Sequence, residues 1–256
     1  MFFCLFSVAF LAAQANKSSV EQEKIVRKRI AIFKKQIHDW GGLDFYGREN
    51  AKLPPPGPRE NRIVFIGDSI TALWDFAEYF PGKPYINRGI AAQTTSQILL
   101  RFHQDALNLK PKIVIVLAGT NDIAGNTGPM TLDQIENNYA SMTELARSSG
   151  VKIVFASVLP IHNYTKASHQ YFAKRQPDSI IALNHWLESY CDVNGIVFID
   201  LYSALVDDKG MFKLSLSEDG LHPDAAGYKV LSPLVEAAIQ KALMPVEVQR
   251  FPVENR

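Results

Sequence analysis

A serine, an asparagine and an aspartate–histidine pair stand in three separated blocks of this 256-residue chain, and their types and spacing suit acyl transfer. Gly67-Asp68-Ser69 directly follows the apolar run Ile63-Val64-Phe65-Ile66. Gly119-Thr120-Asn121-Asp122 comes just after a second such run, Ile113-Val114-Ile115-Val116-Leu117. Far downstream, Asp219-Gly220-Leu221-His222-Pro223 sets a carboxylate three residues before an imidazole. A serine hydroxyl is a weak nucleophile near neutral pH and needs a base positioned on its proton. His222 is the candidate base, and Asp219 can reach back to its other ring nitrogen to fix one tautomer and one orientation. The remaining histidines (His38, His103, His162, His169 and His185) lack both a strand-edge position and such a local carboxylate. Asp200, at the end of a later apolar run, is a rival orienting acid. Asp68 reads instead as a turn-holding side chain that accepts backbone N–H groups. A tetrahedral oxyanion needs preorganised donors. The amide of Ser69 and the side-chain amide of Asn121 are placed to supply two. Each block alone also suits an ordinary turn; together and in this order they point to a serine hydrolase.

Such residues need a scaffold that brings them to one edge. Short β-branched runs occur at 63–66, 85–87, 113–117, 151–157 and 196–199, and helical patterns separate them at about 94–107, 131–149, 178–194 and 225–243. Strand runs alternating with helices predict a parallel sheet with both faces covered, its chemistry at the carboxyl ends of the strands. The segment 160–178 has no clear period and holds His162, Tyr164, Tyr171, Phe172 and Arg175. A loop of that length and composition at the same edge is expected to contact substrate.

Ahead of this domain, residues 1–15 are nearly all apolar and end in Ala13-Gln14-Ala15, the pattern of a cleaved export signal, although Lys and Arg are missing from its start. The stretch is short for a membrane span, and export predicts a secreted or periplasmic enzyme; an uncleaved amphipathic anchor is the rival reading. Cleavage would remove Cys4 and leave Cys191 without a partner, in a helical pattern that suits a buried inert thiol. Val26, Ile30, Phe33 and Ile37 are spaced for a helix over 20–40, expected to lie across the body with its cations in solvent; a membrane-surface helix is the alternative. Leu53-Pro54-Pro55-Pro56-Gly57-Pro58 then enforces extended backbone. The expected organisation is a signal peptide at 1–15, a helical extension and Pro-rich linker at 16–61, the catalytic domain at 62–243 and a tail at 244–256. A formal charge of +1, from 27 basic and 26 acidic residues, gives no electrostatic reason to expect nucleic acid or an anionic membrane as partner.

The ordered blocks resemble those of the GDSL lipases and esterases, also called SGNH hydrolases, across roughly residues 62 to 243. The resemblance implies a three-layer α/β/α sandwich, flavodoxin-like, with about five parallel strands. It implies Ser69 as nucleophile and Asp219 and His222 as acid and base. In Asn87-Arg88-Gly89-Ile90-Ala91-Ala92-Gln93-Thr94-Thr95, Ala92 falls where the family places a glycine whose amide meets the oxyanion. The implied oxyanion hole is therefore Ser69, Ala92 and Asn121, with Gly89 as the alternative to Ala92. Gln93-Thr94-Thr95 and the Asn121 block are most similar to short-chain esterases and platelet-activating-factor acetylhydrolase-like members. They imply hydrolysis of short acyl esters, acetyl above all, of carbohydrate or lipid alcohols through an acyl-enzyme. An acyltransferase with the same triad and a catalytically idle carbohydrate-binding domain are the alternatives. No cofactor and no metal site are expected, and the oligomeric state is left open.

Overall fold

The computed structural model describes residues 21–244, except 29, 32, 33, 35 and 36. The expected export signal at 1–15, Cys4 and the tail from 245 onward lie outside the described residues. Strands β1 (Ile63–Gly67), β2 (Tyr85–Gly89), β3 (Ile113–Leu117), β4 (Lys152–Ala156) and β5 (Val197–Ile199) form one all-parallel sheet in the order β2-β1-β3-β4-β5. Every residue of β1 and β3 is buried, as continuous aliphatic runs in a doubly covered parallel sheet should be. Alternation along the strands then decides which layer each side chain meets. Val64, Ile66, Val114 and Val116 pack with Ile98 and Phe102 of α1 (Thr95–Asp105), Tyr139 and Met142 of α2 (Leu132–Ser148), and Leu183 and Leu187 of α3 (Pro177–Asn194). Ile63, Phe65, Ile113 and Ile115 face Tyr228, Leu231, Val235 and Ile239 of α4 (Ala225–Leu243). This is the expected three-layer α/β/α sandwich.

The strand order places the site. From β1 the chain runs to β2 on one side, then crosses back to β3 on the other. The carboxyl ends of β1 and β3 thus flank the crevice where successive connections diverge, the usual ligand position in an open parallel sheet. Ser69 follows β1 and opens the short helix Ser69–Ala72, while Asn121 follows β3 in Thr120–Ile123. The Ser69 helix lies directly on the sheet end. A Cβ at Gly67 would collide with Thr71 Oγ1 and the Leu117 carbonyl, and one at Gly89 with the Ala72 amide nitrogen. Glycine is the residue that permits such approach. Two hydrogen bonds tie this helix region to α4: Tyr228 Oη donates to the Ile70 carbonyl (2.7 Å) and Trp74 Nε1 donates to Ser232 Oγ (3.1 Å).

The N-terminal extension differs from the sequence expectation. Its described residues between 21 and 38 are helical, but Ile25, Val26, Ile30 and Ile37 are all exposed, so the described part of that helix does not bury its apolar positions on the body. Docking occurs further on, through hydrogen bonds to irregular backbone. Gln97 Nε2 donates to the Trp40 carbonyl (2.7 Å), Gln93 Nε2 to that of Gly41 (2.9 Å), and Gln104 Nε2 to that of Leu43. Gln97 and Gln104 are two helical turns apart on α1, so they present amides to one side of that helix. They satisfy turn carbonyls that have no ladder to join. The hydrophobic spacing of 26–37 carried no information about this polar attachment.

Candidate active site

Asp68 caps the Ser69 helix, its carboxylate accepting from Ile70 N (2.9 Å). This is the turn-holding role expected for it. Ser69 Oγ lies 2.9 Å from His222 Nε2, and His222 Nδ1 lies 2.7 Å from Asp219 Oδ2. The other Asp219 oxygen accepts from the amides of Leu221 (2.9 Å) and His222 (2.8 Å), so the acid is fixed by the turn that bears the base. Burial opposes ionisation of Asp219, but hydrogen bonds from the His222 ring and these two amides outweigh it and hold the acid at about 2. A permanently ionised carboxylate keeps the proton on Nδ1 and leaves Nε2 free to accept from the serine hydroxyl. Asp200, the rival acid, is exposed and accepts from Ser203 N instead. His162 is fully buried and bonds the Ser217 carbonyl through Nε2, pinning the segment that leads into the Asp219 turn.

The three expected oxyanion donors lie on separate loops, after β1, β2 and β3 in turn. Among the described residues neither Ser69 N nor Ala92 N has a protein acceptor. Gly89 N is already engaged with Asn87 Oδ1 (2.9 Å), which removes it as the alternative to Ala92. Asn121 is buried, and Nδ2 donates to the Gln93 carbonyl (3.1 Å) while the second contact, to Asp68 Oδ2, is long at 3.4 Å. One amide hydrogen is therefore only loosely held. Burial lifts Asp68 to about 7, against the pull of the Ile70 amide and of His222. Ala92 adopts φ 65, in the left-handed region that costs a residue with a Cβ roughly 1–2 kcal/mol. Glycine at this point would add about 0.4–1 kcal/mol of unfolded-chain entropy. Ala92→Gly is thus expected to keep esterase activity and to leave Tm unchanged or raised, read by kinetics and thermal melting. A clear loss of both would contradict the strained turn. Proline is no clean probe of this N–H, because its φ near −65° is opposite in sign to the turn's.

A model of the GDSL-like lipase/acylhydrolase family matches residues 65–230. The chain belongs to that family. A GDSL-like lipase from Bacteroides thetaiotaomicron is 38% identical, with TM-score 0.73, over 79% of this chain and 99% of that one. The alpha2 subunit of human platelet-activating factor acetylhydrolase IB is 26% identical over 191 residues, 71% of this chain and 78% of its own. An acetylxylan esterase from Geobacillus stearothermophilus, 19% identical over 72% of this chain and 95% of its own, shares the fold with TM-score 0.58. This GDSL-type enzyme is a carboxylic ester hydrolase that acts on a small-molecule ester.

Around the triad the esterase carries residues whose part the sequence did not disclose. Arg175, in the segment 160–178, is buried and directs Nη2 to Asn121 Oδ1 and Nε to Thr120 Oγ1, both at 2.9 Å. Asn126 Nδ2 also donates to Asn121 Oδ1 (2.9 Å) and to the Ala92 carbonyl (3.2 Å). Two donors on Oδ1 and a carbonyl on Nδ2 leave the Asn121 amide one orientation. Tyr171, from the same segment, sets its ring edge-on to His222 at 5.8 Å, and the Arg175 guanidinium lies 5.8 Å from that ring. Buried Asp122 accepts from Thr95 N and Oγ1 and so anchors the start of α1, just past Ala92. Burial pushes Asp122 up to about 6. Arg101 donates to the Gly67 and Arg88 carbonyls (3.0 and 2.8 Å), closing the ends of β1 and β2. Burial lowers its guanidinium to about 10, with Asp105 opposing. One signal was available for it: Arg101 and Asp105 form an i, i+4 pair on the helix side that also carries Ile98 and Phe102.

Among the described residues no cluster of three metal-ligating side chains occurs, and no helix is long and apolar enough to cross a membrane.

Proposed function

We propose that the enzyme hydrolyses short-chain esters, acetyl above all, of carbohydrate or lipid alcohols through an acyl-Ser69 intermediate. The observation that carries this reading is the unbroken chain Asp219–His222–Ser69, with contacts of 2.7 and 2.9 Å. His222 Nε2 takes the hydroxyl proton as Oγ adds to the ester carbonyl, and the carbonyl electron pair moves onto oxygen. The amides of Ser69 and Ala92 and the loosely held Asn121 hydrogen meet that oxyanion, where charge exists only transiently. Collapse expels the alcohol, which receives the proton from His222. Water then attacks the acyl-serine by the same route and releases the acid. Asp219 stays ionised throughout and stabilises the imidazolium in both halves.

The methyl of Ala92 occupies the loop beside the proposed oxyanion position, which favours a short acyl group. Measured on nitrophenyl esters from acetyl to dodecanoyl, kcat/KM is expected to be highest at acetyl or butyryl and to fall steadily beyond. A maximum at dodecanoyl would overturn the short-acyl assignment. The apolar leader at 1–15 supports export, so the proposed site of action is outside the cytoplasm.

A further inference from the structure

We infer that the docked segment 39–48 and the loop before α1 form a binding subsite for the sugar portion of an acetylated oligosaccharide. This rests on the esterase reading above and specifies its alcohol. Between the two elements lies a cavity of about 830 Å³. Trp40, Asp44, Phe45 and Arg48 form one wall, and Ile90 and Ala91 belong to the other. Ala91 and Gln93, which also lines the cavity, flank Ala92, so the space opens beside the proposed oxyanion loop. A volume in the usual range of small-molecule sites, roughly 300–1,000 Å³, far exceeds the needs of an acetyl group. None of Ser69, Asn121, Asp219 and His222 lines it, so in this proposal the cavity takes the alcohol beyond the acyl group.

The wall is built in advance of any ligand. Tyr46 Oη donates to the Gly89 carbonyl (2.6 Å), and the Arg88 guanidinium sits 4.6 Å over the Tyr46 ring. The Asp39 carboxylate accepts from Leu43 N and Asp44 N, and inside that turn Gln97 and Gln93 hold the Trp40 and Gly41 carbonyls. Backbone so fixed leaves two aromatic rings presented to solvent: Trp40 is 42% exposed and Phe45 59% exposed. Their faces are costly to leave in water and suit the apolar C–H face of a pyranose. The Asp44 carboxylate and the Arg48 guanidinium have no side-chain hydrogen bond or ion pair among the described residues, which leaves them available to hydroxyl groups. A fatty chain in this cavity would desolvate both charges without offering either a partner, an expensive arrangement. Sugars satisfy both kinds of lining. Beyond Trp40 the surface continues into a second cavity of about 430 Å³, bordered by Thr127, Asn137 and Asn138. A chain of several rings could thus pass across the indole.

The test compares wild type with Trp40→Ala and, separately, Phe45→Ala. Each is assayed on acetylated xylo- and cello-oligosaccharides, on an acetyl-glycerophospholipid and on 4-nitrophenyl acetate. The ratio of kcat/KM for the oligosaccharides to that for nitrophenyl acetate is expected to fall at least tenfold in Trp40→Ala, through KM. Phe45→Ala, whose ring is the more exposed, gives the same readout should the first variant lose its circular dichroism spectrum. A ratio unchanged in the folded variants overturns the subsite, as does a loss confined to the phospholipid. If wild type cleaves nitrophenyl acetate but none of the oligosaccharides, the sugar assignment fails while the esterase reading stands. Failure of wild type on every ester would bring down the esterase reading itself.

Discussion

Ser69→Ala is expected to fold normally and to lose kcat by a factor on the order of 10⁶, the scale at which serine-triad nucleophile deletions fall. The alanine keeps the helix-opening position, and the Asp68 cap to Ile70 N does not involve the hydroxyl. The structure therefore predicts an unchanged circular dichroism spectrum and melting curve. His222→Ala should match it in size, because a hydroxyl without its base and a base without its hydroxyl fail at the same step. Combining the two should cost little more than either alone. Hydrolysis of 4-nitrophenyl acetate at comparable rates by wild type and Ser69→Ala would end the covalent mechanism.

Asp219→Asn is expected to reduce kcat by about 10⁴, less than either deletion above. The reason lies in how this carboxylate divides its two oxygens. Oδ1 is committed to the amides of Leu221 and His222, so the carbonyl of the substituted amide is drawn to that side. Its NH₂ group then faces His222 Nδ1, which must accept, and the ring proton moves to Nε2. An imidazole protonated there cannot take the serine proton. The deficit should persist across the working pH range, since the native acid, held at about 2, is ionised throughout it. Wild-type activity in a folded Asp219→Asn protein would show that the acid orients nothing of consequence.

The strands and the triad were legible in the sequence for different reasons. β1 and β3 announce themselves because a doubly covered parallel strand must be apolar at every position. The fourth run, expected over 151–157, forms a strand only over Lys152–Ala156. Val151 N is taken by the Ala146 carbonyl in the turn ending α2, and Ser157 Oγ turns to accept from Leu201 and Tyr202 amides. Ser69, Asn121, Asp219 and His222 could be found because each sits in a short local block at a strand end or in a turn. Arg175 and Asn126 could not. Their meaning comes from contacts to Asn121 that depend on where the loops are carried, and the aperiodic segment 160–178 offers only its aromatic and cationic composition as a hint. The exposed helix positions between 21 and 38 mark the opposite error: spacing fit for burial does not supply a surface to be buried against.

The bonds from Tyr228 and Trp74 that join α4 to the Ser69 helix and the turn after it bear on how this enzyme comes into being. The catalytic contact spans 153 residues, from the first strand's exit to the turn before the last helix. During synthesis a chain that has emerged only as far as β5 can pair every strand of the sheet and still lack its base. Activity is therefore expected to appear only once the last helix docks and to vanish first when that helix detaches, while the β1–β3–β4 centre still resists hydrogen exchange. Ester turnover in this protein is thus a reporter of complete topology rather than of secondary structure content. A heating curve followed by activity should fall at a lower temperature than one followed by sheet signal.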